Sequence, residues 1–115
     1  MLPTETELYH PAREEIALTK VLHALSDPIR LDLVRRLDAC GEERCCGSFQ
    51  DLPIAKSTAT HHWRVLRLSG VVAAREEGTR KFHRLRRDDL DARFPGLLDS
   101  VLAASAAEAP LAFSP

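Results

Sequence analysis

Lys56-Ser57-Thr58-Ala59-Thr60-His61-His62-Trp63-Arg64-Val65-Leu66-Arg67 is the stretch on which the fold turns. Ala59, Trp63 and Leu66 recur at helical spacing, so the segment predicts a helix from Lys56 to Ser69 with one inward face. Gly70 stands where a left-handed C-cap falls. The first two turns are crowded with short hydroxyls, a lysine and histidines, although Ser and Thr are mediocre helix formers. Beyond Gly70, Val71 to Arg75 and Lys81 to Leu85 read as strands joined by Glu76-Glu77-Gly78-Thr79-Arg80, a Gly-containing hairpin loop.

Upstream, Leu18, Val21, Leu22 and Leu25 form one apolar stripe, read as buried. Ser26-Asp27-Pro28 ends that helix and starts another, with Ser26 or Asp27 as cap and Pro28 in the first turn. Ile29, Leu33, Val34 and Leu37 form the second stripe. Gly41 to Arg44 is a polar break, and Cys45 to Leu52 reads as a short third helix weakened by Gly47. After Asp88 the chain returns to helix, and Pro95 opens a last segment with Leu97, Leu98, Val101 and Leu102 on one side. The fold class is therefore mainly α with a two-stranded β-hairpin, a winged helix-turn-helix.

The chain has 115 residues, 44% hydrophobic and 29% charged, which suits one compact domain. Residues 1–11 read as a flexible N-terminal arm, 12–108 as the domain and 109–115 as a flexible tail. No apolar run approaches the ~20 residues that span a bilayer. Met1 to Glu15 holds no apolar signal core, so a cytoplasmic location is expected. Net charge is -1, but it is unevenly placed. Lys56 to Arg87 holds nine basic and two acidic residues, a net of +7; the remainder, with seven basic and fifteen acidic, carries -8. One basic segment in an acidic chain suits a directed polyanion surface, against the plainer reading of a solvated charged face.

The chemistry of the 56–67 helix favours the polyanion. Helix N-terminal N–H groups attract phosphate, and Ser or Thr exchanges hydrogen bonds with base edges. Lys56, Ser57, Thr58, Thr60 and His61 are the expected DNA contacts, with Arg64 and Arg67 clamping the backbone. Arg75, Thr79, Arg80 and Lys81 on the hairpin reach the flanking groove or its phosphates. Of His61 and His62, one is expected to face DNA or solvent and the other to pack near Trp63. Adjacent helical side chains point about 100° apart, which disfavours a metal site made from this pair.

Ala24-Leu25-Ser26-Asp27-Pro28-Ile29-Arg30-Leu31, followed by Ser57 to Arg67 and Gly70-Val71-Val72, closely resembles the ArsR/SmtB family of bacterial repressors. The likeness runs from about Leu18 to Leu102, and Arg75 to Arg80 resembles the family's wing. It implies a homodimer built on the first and last helices, and binding to double-stranded operator DNA until an effector releases it. Ala55 departs from the pattern, where the family often has a capping Ser.

Two sensing arrangements remain open. Thiols near the third helix serve soft metal or metalloid sensors of the family; here Cys40, Cys45 and Cys46 fall in that region, but Cys45 and Cys46 are adjacent. Three thiolates suit a soft ion, whereas ordinary buried thiols behave as small hydrophobes. In zinc-type sensors the last helix supplies His and Asp ligands, yet no histidine follows His83. His10 reaching a partner's Asp88, Asp89 or Asp91 offers a nitrogen and oxygen set for nickel or zinc. Alternatively those acids simply begin a helix, where they complement its dipole. No cofactor is fixed by the sequence.

The leading functional reading is an effector-released repressor. The alternative is a DNA-binding subunit without a sensor that depends on a co-regulator protein for its metal or redox response. A metal-dependent enzyme using His61, His62 and a thiol lacks a general base, so no enzyme is expected. No membrane partner is expected either.

Overall fold

The computed structural model describes residues 8–41, 44–45 and 54–108. The elements run α1 (Leu18–Leu25), α2 (Pro28–Cys40), β1 (Arg44–Cys45), α3 (Lys56–Ser69), β2 (Val72–Glu77), β3 (Arg80–Leu85), α4 (Arg87–Arg93) and α5 (Leu97–Ala107), after a 3-10 turn at Arg13–Glu15. The expected helical domain with its antiparallel hairpin is present.

The turn between α1 and α2 follows from three residues. Asp27 Oδ2 accepts from the N–H groups of Ile29 and Arg30 at 2.9 and 3.0 Å. Pro28 fills the first helical position, where a missing N–H costs nothing. Ser26 instead donates its hydroxyl to the His23 carbonyl at 2.6 Å, so Asp27 alone caps. The α2 helix ends at Gly41 with φ 74°, and α3 ends at Gly70 with φ 90°.

The core collects Val21, Ala24 and Leu25 of α1, Leu33, Val34 and Leu37 of α2, and Trp63 and Leu66 of α3. Val71 and Val72 extend it beneath the sheet, and Leu90 and Leu98 close it from α4 and α5. The stripe expected on α1 is only half buried. Val21 and Leu25 point inward, while Leu18 and Leu22 are 43% and 44% exposed. The buried face is turned to one side of that stripe, so that Ala24 is buried beside Val21 and Leu25 while Leu18 and Leu22 are left on the outer flank.

The hairpin pairs Val72 with Leu85 and Glu77 with Arg80, so the loop is only Gly78-Thr79. The strands run further than expected because Gly78, at φ 62°, lets a two-residue loop match the strand twist. Ala74 and His83 face the core, whereas Arg75 and Arg84 face outward.

A third strand joins this hairpin where a helix was expected. Arg44 and Cys45 pair with His83 and Phe82, giving the order β1-β3-β2. Cys45 is therefore extended, and pairing satisfies the N–H and C=O groups along the free edge of β3. The rest of the expected Cys45–Leu52 helix lies outside the described residues.

The far end of the expected flexible arm is held. Pro11 is buried, and its carbonyl accepts from Arg86 at 2.8 Å. The Tyr9 carbonyl accepts from Arg67 at 2.6 Å. His10 Nε2 accepts the N–H of Ala74 at 2.9 Å, occupying a donor on the open edge of β2. Residues 1–7 and 109–115 lie outside the described residues. Among the described residues no helix is long and apolar enough to cross a membrane.

Candidate nucleic-acid interface

The outward face of α3 carries Lys56, Ser57, Thr58, Thr60, His61 and Arg64, all exposed. Burial of Trp63 and Leu66 orients this face, since it fixes which side of the helix meets the core. Ala55 occupies the N-cap and provides no side-chain hydrogen bond. Ala55 thus gives the first N–H groups of α3 no side-chain acceptor, and they carry the positive end of the helix dipole.

His62 turns the other way. It is 7% exposed, and its Nδ1 lies 3.2 Å from Nη1 of the buried Arg30. Burial, and then the Arg30 charge, push its pKa below the ordinary value, against the pull of Asp27. One of the pair faces outward and the other inward, His61 and His62 respectively, but His62 meets the Arg30 side chain where packing near Trp63 was expected. The ring stacked on Trp63 is that of His83, at 3.8 Å between centroids.

The basic residues named from sequence divide into two groups. Lys56, Arg64 and Arg80 make no ion pair with another described residue, and Thr79 stands exposed beside Arg80 at the hairpin tip. The others are engaged within the fold. Arg67 serves the Tyr9 carbonyl, Arg75 lies 4.4 Å over the Phe82 ring and 3.1 Å from Glu77, and Lys81 lies 3.6 Å from Glu76. These three must exchange partners to reach a phosphate, so they offer less than their formal charge suggests.

Among the described residues no group of three His, Cys, Asp or Glu side chains is placed to hold a metal ion. His10 is occupied by Ala74, and Asp89 is held by Arg13 at 2.7 Å and Arg86 at 2.9 Å. Those contacts lower the Asp89 pKa, the Arg13 hydrogen bond most of all. Asp91 lies 3.6 Å from Arg87, and Asp88 is exposed. Cys40 is a half-buried free thiol. The Cys45 side chain and all of Cys46 lie outside the described residues.

Arg30 was given no role from sequence. It lies three, four and seven residues before Leu33, Val34 and Leu37, on the buried stripe of α2. A charge on that stripe was the available sign that it serves an internal partner.

The uncharacterized HTH-type transcriptional regulator YceK of Bacillus subtilis is 35% identical over 83 residues, covering 71% of this chain and 83% of that protein. The repressor BigR from Xylella fastidiosa superposes with a TM-score of 0.60 at 28% identity, over 79% of this chain and 88% of BigR. A structure described as a possible transcriptional regulator for arsenical resistance gives 0.58 at 27% identity, over 83% of this chain and all of the other. The chain belongs to the ArsR family of helix-turn-helix transcriptional regulators. No family model matches it. As an ArsR-family member it is a regulator of transcription and not an enzyme. Its α3 and hairpin are the helix and wing of that winged fold.

Proposed function

We propose that this chain binds a specific operator duplex as a homodimer and represses transcription there. The observation that carries the reading is the exposed, hydroxyl-rich start of α3, with Lys56 and Arg64 flanking Ser57, Thr58 and Thr60. Phosphate contacts fix the register of a protein on DNA, and short polar side chains then read base edges. Arg80 at the wing tip extends the phosphate contacts along the duplex. The likeness to the repressor BigR supports the mode of action.

The test is selection of duplexes from a random pool, followed by titration of the selected and random duplexes over a salt series. Preference for the selected duplex by about a thousandfold or more is expected. Equal affinity for both would overturn the reading. Release by an effector belongs to the same proposal, with Cys40, Cys45 and Cys46, or His10 and a partner's Asp88, Asp89 and Asp91, as the responding groups. Zinc, nickel, arsenite and peroxide titrated against the preformed complex test that half, and unchanged affinity throughout overturns it.

A further inference from the structure

Arg30 is 7% exposed, and its guanidinium is spent on three partners. Nε donates to the Ala24 carbonyl at 2.7 Å and Nη2 to the His23 carbonyl at 3.3 Å, both in the last turn of α1. Nη1 faces His62 Nδ1 on α3 at 3.2 Å. An arginine offers donors only, so Nδ1 must accept, and the proton of the neutral ring sits on Nε2. The carboxylate of Asp27, already capping α2, stands 3.9 Å from the same Nδ1. One guanidinium therefore ties the end of α1 to the middle of the helix that carries Thr60, His61 and Arg64.

We infer that His62 is a positioning residue for sequence reading: acting through Arg30, it fixes the roll of α3 against α1 and α2, and only the neutral imidazole does so. The inference rests on the DNA-reading role proposed above and names what holds the reading face in place. Protonation would set an N–H of His62 against an N–H of Arg30. Two donors face to face repel, and Asp27 then draws the imidazolium away from the arginine. The charged or titratable groups around the ring are Asp27 and Arg30 from the α1–α2 side and His61 on its own helix. A roll of α3 displaces Ser57, Thr58 and Thr60 from base edges but leaves long cations able to find a phosphate. Preference between sequences is thus lost before general affinity is.

The experiment combines nitrogen NMR of the His62 ring with binding of selected and random duplexes between about pH 7.5 and pH 5. It uses the wild-type chain, His62→Asn and His62→Phe. The Asn side chain presents an acceptor oxygen near the position of Nδ1 and does not titrate. The wild-type ring is expected as the Nε2–H tautomer, and its preference for the selected duplex should fall about tenfold in acid, the worth of one charge-assisted hydrogen bond. His62→Asn should keep its preference across the range, and His62→Phe should lose about tenfold already at neutral pH. Should His62→Phe fail to fold, the contrast between wild type and His62→Asn still decides. An Nδ1–H tautomer, or an acid response equal in wild type and His62→Asn, overturns the inference. A wild-type chain that prefers no duplex at neutral pH overturns the DNA-reading role itself. That failure is distinct, because it precedes any acid or substitution.

Discussion

His83 of β3 lies flat against Trp63 of α3, with ring centroids 3.8 Å apart and planes 7° from parallel. The stack joins the wing to the reading helix. His83 is 1% exposed, and among the described residues neither ring nitrogen has a hydrogen-bond partner. Burial, reinforced by Lys81 and Arg67, pushes its pKa down to about 3. The unfolded chain takes up this proton near pH 6.5, whereas the folded chain resists until about pH 3. Stability is therefore complete above the unfolded value and is lost as pH falls toward the folded one. The loss amounts to about 2 kcal/mol by pH 5. His10 and His62, whose pKa values burial also lowers, act in the same direction. Urea midpoints at about pH 7.5 and pH 5 should show this fall. His83→Phe keeps an aromatic face on Trp63 and removes two unsatisfied nitrogens, so it should flatten the dependence. An equal fall in the variant would contradict the assignment.

Gly70 offers a sharper test of packing. Its φ is 90°, and an added Cβ would lie 2.6 Å from Ile16 Cγ1, a fully buried side chain that cannot swing aside. Gly70→Ala should cost about 2–4 kcal/mol, the left-handed penalty plus overpacking. Gly41 has φ 74° but, among the described residues, nothing within 4 Å of its Cβ position. Gly41→Ala should therefore cost only about 1–2 kcal/mol. Equilibrium unfolding of the two variants side by side separates strain from collision.

The helices and the hairpin were legible because each has a period and a punctuation mark. Asp27-Pro28 starts α2, and Gly70 stops α3. The exposed polar face proposed to read DNA stands out in the sequence because Ser57, Thr58 and Thr60 are poor choices for a helix on propensity alone. What escaped depends on pairing between distant segments. Cys45 joins a sheet because β3 has a free edge, and nothing local to Cys45 announces that. The arm is held at Tyr9, His10 and Pro11 by Arg67, Ala74 and Arg86, which lie some sixty to seventy-five positions away. For the same reason Arg67 reads as a free cation in the sequence and has a partner in the fold, whereas Arg75 and Lys81 pair with Glu77 and Glu76 close by in the hairpin.

That distinction sets the expected ranking among the basic residues. Arg64→Ala and Arg80→Ala should weaken binding to all duplexes and each lower the salt slope by about 0.9. Lys81→Ala and Arg75→Ala should change it less, since their charges are already shared with Glu76 and Glu77. Ser57→Ala, Thr58→Ala and Thr60→Ala should alter base preference by about 1–3 kcal/mol at individual positions and leave the salt slope alone. Anisotropy titrations on selected and random duplexes read both quantities. Identical behaviour of the two sets would mean that α3 does not enter the groove.

The exposed Leu18 and Leu22 allow the proposed homodimer to be tested. In one protomer a charge at Leu22 should be nearly neutral, because the site is 44% exposed and surface substitutions change stability by about 0.5 kcal/mol or less. In a dimer that packs α1 and the apolar side of α5 against a second copy, the same charge would be buried without a partner and cost several kcal/mol. Leu22→Asp should therefore yield a folded monomer by sedimentation, with a helical circular dichroism spectrum like that of the wild type. Two reading helices must span half-sites about 34–36 Å apart to act together, so the monomer should also bind the selected duplex at least about a hundredfold more weakly. Leu22→Ala, which removes area but adds no charge, should fall between the two. A dimeric Leu22→Asp would place the interface elsewhere on the surface.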